Sequence, residues 1–255
     1  KYWLSIADSD VLLWVKGLAV GASLNVELRE PDVWPLSIQG PKAEIVLAEI
    51  FGPRIKELNF FNFDWFDFIG TKQLIARSGY SKQGGFEIYL NGSTYGSLLW
   101  ETIWNAGVKH NIRAGSPNII ERIEGGLLSY GNEMTIENNP IECCLDKYCS
   151  SQNAYNYIGK EALMKIINDG VKRRIRGVQF SGSPMEACGI PWPVTSQKTK
   201  KMIGQVTSGI FSPRLKTNIG LAMIDRESWE HGERIYVHTN DGKAKEGFVC
   251  NLPFK

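Results

Sequence analysis

Residues Arg77 to Tyr89 read RSGYSKQGGFEIY. The first half, Gly79-Tyr80-Ser81-Lys82-Gln83-Gly84-Gly85, is a polar turn whose glycines permit positive φ and close approach of backbone or ligand. The second half alternates. Phe86, Ile88 and Leu90 share one face, Glu87 and Tyr89 the other, which is the period of a half-buried strand. Glu87 is thereby held on a strand just past a flexible turn. A carboxylate so fixed can accept two N–H donors from one flat molecule, such as the amino and ring N–H groups of a pterin. On these residues alone, an ordinary hairpin with a solvated glutamate is the simpler reading.

On the N-terminal side, Tyr2-Trp3-Leu4-Ser5-Ile6-Ala7 reads as a strand in mid-sheet, and Lys1 is not a methionine. The chain is therefore expected to be the later part of a longer protein, incomplete at its N-terminus. Ser9 or Asp10 can cap a helix from Val11 to Leu18, with Gly21 as its stop. Short strands are predicted at Val26–Arg29 and from Trp34 to a tight turn at Gly40-Pro41. Lys42–Phe51 is predicted as a helix burying Ala43, Val46, Leu47 and Ile50. The stretch FFNFDWFDFI at 60–69 reads as loop plus strand with Phe61, Phe63 and Trp65 on one side. Core packing is the expectation for most of these rings. The functional alternative is that one or two of them, or Trp34, Trp100 or Trp192, wall a pocket for a cation such as an ammonium or sulfonium.

On the C-terminal side, Tyr95–Ala106 is predicted as a helix burying Leu98, Leu99, Thr102 and Ile103. A second carboxylate, Glu124, stands beside the paired glycines of Ile123-Glu124-Gly125-Gly126; taken alone it reads as a salt bridge to a neighbouring arginine. A helix follows from Ile158 to about Asn168, stopped at Asp169-Gly170. From Arg173 the chain is β-rich, with five short runs (RIRGVQFSG, IGQVTSG, NIGLAMID, RIYVHT, EGFVCNLPF) that predict a small barrel or sandwich. The domain boundary is placed at about residue 170, giving 1–170 as α/β and 171–255 as a C-terminal β domain.

Composition narrows the function classes. Twenty-nine basic and 27 acidic side chains leave a net charge of +2, which gives no reason to invoke nucleic acid. No apolar run reaches the roughly 18 residues a membrane helix needs, and none resembles a signal peptide. Cys143, Cys144, Cys149, Cys188 and Cys250 are odd in number and unpatterned, which suits reduced thiols in a cytoplasm. His110, His231 and His238 show no ligand spacing, so no metal is expected.

Several blocks stand in order: LSIQGPKA at 36–43, RSGYSKQGGFEIY at 77–89, RIEGGLLSYGNE at 122–133, IGKEAL at 158–163, VTSGIFSPRLKTNIGLAMI at 206–224 and LPF at 252–254. Together they resemble the folate-binding aminomethyltransferase family of the glycine cleavage system, across nearly the whole chain. The resemblance implies a multidomain α+β fold, with interleaved α/β folate-binding domains followed by a C-terminal β-barrel-like domain. It implies tetrahydrofolate as a bound partner and no metal. It also implies that Glu124, Glu87 and Tyr80 line the pterin cavity. Tyr89 joins them because it shares the strand face of Glu87, and Ser5 falls where the family carries an asparagine.

The departures from the family pattern are informative. No Arg-Asp pair stands ahead of Glu121, the acidic turn has become Gly79-Tyr80-Ser81-Lys82-Gln83, and Lys147–Ser151 lacks the basic cluster that contacts folate. The aspartate credited with aminomethyl chemistry would fall upstream of Lys1, so no catalytic residue is assigned and catalysis by positioning is expected. GNEMTIENNPIE at 131–142 and the terminal FVCNLPFK are similar to a demethylase branch of the family. That likeness implies methyl transfer from the sulfonium zwitterion dimethylsulfoniopropionate to N5 of tetrahydrofolate, giving 5-methyltetrahydrofolate and methylmercaptopropionate. Alternatives are the glycine cleavage aminomethyltransferase with its lipoyl carrier, the folate domain of a sarcosine or dimethylglycine dehydrogenase, and a non-catalytic folate-binding module. Nucleic acid and membrane are not expected partners; a homodimer is left open.

Overall fold

The structure, a computed structural model, describes residues 1–6, 10–149 and 156–255. The chain forms two compact units, Lys1–Pro117 and Asn118–Lys255. Among the described residues no helix is long and apolar enough to cross a membrane.

The first unit is a four-stranded antiparallel sheet with helices on one face. The elements are α1 (Leu12–Gly21), β1 (Val33–Gln39), α2 (Ala43–Phe51), β2 (Phe63–Phe68), β3 (Thr71–Ala76), β4 (Gly85–Asn91) and α3 (Gly96–Gly107). The sheet order is β1-β4-β3-β2, which puts the glutamate-bearing strand in its interior. Because side chains alternate, β4 sends Phe86, Ile88 and Leu90 into a core shared with Val46 and Leu47 of α2 and Leu99 and Ile103 of α3. Leu99 and Ile103 are one helical turn apart and form the buried stripe of α3; Leu98, expected there, is exposed.

Three expectations for this unit are corrected. Residues 2–6 form no strand and join neither edge of the sheet; Trp3 instead packs edge-on against Trp65 and Tyr89. Ala7 and Ser9 lie outside the described residues. The Val26–Arg29 segment is irregular, with Val26 exposed. In the aromatic stretch, Phe60, Phe61, Phe63 and Trp65 are exposed, while Phe66 and Phe68 take the core positions. The reason is strand parity: both faces of β2 are aromatic, and the helices cover only one.

The second unit contains α4 (Ile119–Glu124), α5 (Lys160–Asp169) and six strands, β5 (Arg173–Phe180), β6 (Trp192–Ser196), β7 (Met202–Ser212), β8 (Thr217–Asp225), β9 (Arg234–His238) and β10 (Ala244–Cys250). They close into an antiparallel barrel of order β10-β5-β8-β7-β6-β9. Val178, Val194, Val206, Ile235, Val237 and Val249 fill it, with Trp192 among the largest buried side chains. Trp192 is thus a core residue and not a pocket wall. β6 is the barrel strand the sequence reading omits, as it omits β3 in the first unit; in β6 Pro193 argues against a paired strand. The barrel tolerates it: Pro193 faces Gln205 of β7, and pairing to β9 begins only at Val194.

Candidate functional site

In the first unit the face of the sheet away from the helices is polar and aromatic. Register places Ser37, Glu87 and Ala76 in one row across β1, β4 and β3, and Pro35, Tyr89, Leu74 and Trp65 in the next. Ser78 Oγ donates to Glu87 Oε2 at 2.5 Å and fixes the carboxylate.

The turn that precedes Glu87 is held from beneath by a residue the sequence reading quoted but gave no role, Gln39 at the end of β1. Its Nε2 donates to the Ser78 and Phe86 carbonyls at 3.0 and 3.3 Å, and its Oε1 accepts from Ser81 Oγ at 2.7 Å. The glycines make room for that amide. A Cβ on Gly79 would lie 2.0 Å from Gln39 Oε1, and one on Gly85, at φ +150°, would lie 2.7 Å from Gln39 Cδ and 2.5 Å from the Ile38 carbonyl oxygen. The glycine-rich turn is therefore a clamp around a glutamine. Tyr80 lies within it and is partly exposed.

Tyr89 and Ser5 join through their hydroxyl groups, so residue 5 reaches the site without belonging to the sheet. Burial first, then the charge of Glu87, pushes the Tyr89 hydroxyl above its ordinary pKa, with the Ser5 contact partly offsetting both. The group stays protonated at neutral pH and acts as a neutral hydrogen-bonding hydroxyl. Beside it opens a cleft of about 470 Å³, lined by Trp3, Trp65, Tyr89, Arg29, Glu30 and Asp32 among others.

Glu124 belongs to the second unit. Asn118 caps its helix, α4, by accepting from the Ile120 and Glu121 N–H groups at 2.9 and 3.4 Å. Glu124 Oε1 accepts from Ser212 Oγ at 2.5 Å and Oε2 pairs with Arg214 Nε at 2.6 Å, with the carboxylate side chain 12 % exposed. The expected arginine partner exists, but it comes from the turn after β7 rather than from the neighbourhood of residue 124.

A six-residue helix cannot hold itself, and a buried network anchors α4 to the barrel. Arg122 Nη1 donates to Glu133 Oε2 at 2.8 Å and to the Leu127 carbonyl at 3.0 Å, while its Nη2 donates to Ser208 Oγ at 2.6 Å. The Ser129 N–H donates to the same Glu133 oxygen at 2.7 Å. Arg122 and Glu133 both lie in the RIEGGLLSYGNE block, yet nothing in their spacing announces the pair. Each unit thus gathers its own residues: Glu87, Tyr89 and Ser5 in the first, Glu124 with its partners in the second.

All five cysteines are free. Burial pushes the Cys250 thiol up to about 12, and burial with the nearby Glu142 and Cys144 pushes Cys143 up to about 11. Neither is a nucleophile near neutral pH. Among the described residues no group of three or more His, Cys, Asp or Glu side chains is placed to hold a metal ion.

Residues 1–153 match the family model described as the GCVT N-terminal domain, and residues 173–255 match the glycine cleavage T-protein C-terminal barrel domain. The dimethylsulfoniopropionate demethylase DmdA of Ruegeria pomeroyi is 44% identical over 251 residues, covering 97% of this chain and 68% of that protein. An aminomethyltransferase of a Thermoanaerobacter species is 35% identical over 227 residues, 88% of this chain and 60% of that one. The crystal structure of the glycine cleavage system aminomethyltransferase T from Bartonella henselae superposes with a TM-score of 0.78 at 24% identity, covering 96% of this chain and 66% of that chain. That likeness carries the fold. The chain spans about two thirds of the length of these relatives.

Proposed function

Because the chain belongs to the glycine cleavage T-protein family, we propose that it is a tetrahydrofolate-dependent methyltransferase acting on dimethylsulfoniopropionate. The methyl carbon leaves the sulfonium sulfur, which keeps the bonding pair as a neutral thioether, methylmercaptopropionate. The carbon becomes bonded to N5 of the folate, giving 5-methyltetrahydrofolate, and one proton passes to water. The observation that carries this reading is the 44% identity to the demethylase over nearly the whole chain, against 35% to an aminomethyltransferase over less of it.

The first unit's open face suits a pterin. Glu87 offers a carboxylate with about four lone-pair sites, of which Ser78 takes one, leaving acceptors for paired N–H donors. Tyr89, oriented by Ser5, gives a ring edge and a neutral hydroxyl on the same face, and Tyr80 closes the turn side. We also assign Glu124, in the second unit, as a folate-binding carboxylate, oriented by Ser212 Oγ at 2.5 Å and Arg214 Nε at 2.6 Å until a ligand N–H competes. Bound tetrahydrofolate supplies the nucleophilic nitrogen. The chain's own contribution is to hold the partners in line and keep water from between them. An activated donor with a neutral leaving group asks for no general acid. We place the division of labour at residue 170, with 1–170 the folate-binding part and 171–255 the barrel.

The test is a mass-spectrometric assay of the full-length protein with tetrahydrofolate and dimethylsulfoniopropionate. The expected product is 5-methyltetrahydrofolate, lost when Glu87 or Glu124 becomes alanine. Formation of 5,10-methylenetetrahydrofolate from an aminomethylated lipoyl carrier, with no methyl transfer, would return the protein to aminomethyl chemistry.

A further inference from the structure

Register sets Glu87 between two unlike neighbours. Ser37 of β1 stands opposite it on one side and Ala76 of β3 on the other. Residues paired this way have Cβ atoms about 4.5–5.5 Å apart, so a ligand held on Glu87 is within reach of both. The Ser37 hydroxyl already has one partner: it accepts from Gln39 Nε2 at 3.0 Å. The direction of that bond is fixed. The same nitrogen donates to the Ser78 and Phe86 carbonyls, and Gln39 Oε1 accepts from the Ser81 hydroxyl. Carbonyl oxygens only accept, so the amide cannot turn over and present its own oxygen to Ser37. A hydroxyl has one proton and two lone pairs. With Gln39 on a lone pair, the Ser37 proton points elsewhere, and among the described residues none accepts it. Ser37 is exposed on the sheet's open face, beside the carboxylate.

We propose that Ser37 is a specificity-determining residue, whose hydroxyl donates to the 4-oxo group of a pterin held on Glu87. The inference rests on the assignment of Glu87 to the pterin. Along one edge a pterin presents its 2-amino group, its N3–H and its C4 carbonyl: two donors, then an acceptor. The Glu87 carboxylate matches the two donors and has nothing to give the acceptor. Ser37 supplies the missing donor. Ala76, on the other flank, carries only a methyl group, so the row of hydroxyl, carboxylate and methyl reads the edge in one direction, with the carbonyl toward β1. O4 and N5 lie on the same side of the pterin ring system, so the contact also fixes where the methyl-accepting nitrogen sits. Gln39 is the positioning residue. It aims the Ser37 hydroxyl directly and, by holding Ser78, steadies the hydroxyl that fixes the carboxylate. A carboxylate alone accepts any such pair of N–H donors, a guanidinium included. The added hydroxyl selects the oxo form.

The experiment is equilibrium dialysis of the full-length protein against tetrahydrofolate and its 4-thioxo analogue. The analogue keeps both donors but carries sulfur, a weak acceptor, at C4. The wild type is expected to prefer tetrahydrofolate by about three- to tenfold, the range of one neutral hydrogen bond. Ser37→Ala weakens tetrahydrofolate by about the same factor and the analogue by less than about twofold, so the preference disappears. Ser37→Thr keeps the hydroxyl and recovers most of the loss. In turnover, Ser37→Ala raises the folate KM with kcat within about twofold of wild type, because the contact is made equally before and during transfer. A merely structural serine would not sense which atom stands at C4. Tetrahydrofolate affinity within about twofold of wild type in Ser37→Ala overturns the proposal, and so does an equal loss for both ligands. The two readings fail separately. Folate affinity lost in Glu87→Gln but kept in Ser37→Ala overturns the Ser37 contact and leaves Glu87 in place. Affinity unchanged in both variants overturns the assignment of Glu87 as well. Dialysis contains no methyl donor, so neither result depends on the methyl-transfer chemistry.

Discussion

Replacing Glu133 with alanine tests whether the anchor of α4 is as described. The carboxylate side chain is fully buried and its Arg122 partner only 8% exposed. Truncation removes the ion pair at 2.8 Å and the Ser129 N–H bond at 2.7 Å, and leaves a guanidinium charge inside the protein. Breaking a buried pair from one side costs about 3–5 kcal/mol, a large part of an ordinary domain's stability of roughly 5–15 kcal/mol. With a urea slope of about 2 kcal/mol/M the unfolding midpoint falls by about 2 M. The double variant Arg122→Met with Glu133→Leu removes both charges and recovers part of this, leaving a cost of about 1–3 kcal/mol for the orphaned Ser208 hydroxyl, Leu127 carbonyl and Ser129 N–H. Urea unfolding by circular dichroism gives the energies, and hydrogen exchange over residues 118–134 locates the loss. Glu124→Gln should weaken folate binding with α4 protection intact, whereas Glu133→Ala should lose both. A Glu133→Ala cost below about 1 kcal/mol, or a double variant equal to the sum of the singles, would refute the anchor.

Gly85→Ala should destabilise the first unit by about 2 kcal/mol or more, because the new Cβ meets the Ile38 carbonyl at 2.5 Å in a backbone conformation side chains avoid; thermal unfolding reads it. Glu87→Gln keeps the shape but not the charge, and should weaken folate by about ten- to a hundredfold in equilibrium dialysis with little change in Tm. Native-state labelling at pH 8 should leave Cys143 and Cys250 unmodified. A thiol at about 12, as for Cys250, is about one part in ten thousand thiolate there. The Cys250 thiol also predicts an alkaline instability. Its folded pKa lies above the unfolded value, so its contribution is complete below about pH 8.5 and is lost as pH rises toward 12, by about 1.4 kcal/mol per pH unit. Cys250→Ala should flatten that slope in urea titrations between pH 9 and 11.

Much of the fold was legible because it is written at short range. The alternation of Phe86-Glu87-Ile88-Tyr89-Leu90, the helical spacing of Leu99 and Ile103, and the stop at Gly170 are local patterns that two to four neighbouring residues settle. Glu87 and Tyr89 were legible as a pair for the same reason: a strand's period alone puts them on one face. The aromatic run at 60–69 was read less well because hydrophobicity on both faces of β2 does not say which face the helices cover. β6 escaped because the exception that admits Pro193 depends on where β9 starts, which a local reading does not contain. The segment at 2–6 had a strand's composition, but a strand exists only where a neighbour takes its N–H and C=O groups, and residues 2–6 pair with none of the four strands.

By itself, then, the sequence determined the strand carrying Glu87, the helices Ala43–Phe51, Gly96–Gly107 and Lys160–Asp169, the β-rich nature of everything after Arg173, and the two carboxylates worth watching. Only the tertiary structure decided what surrounds them. Gln39 reaches the turn across 39 and 47 residues of chain, Ser212 and Arg214 reach Glu124 across 88 and 90, and Trp3 meets Trp65 and Tyr89 from outside the sheet. Local propensity acts through torsions and nearest turns, whereas these contacts depend on how packed elements bring distant side chains within about 3 Å of one another.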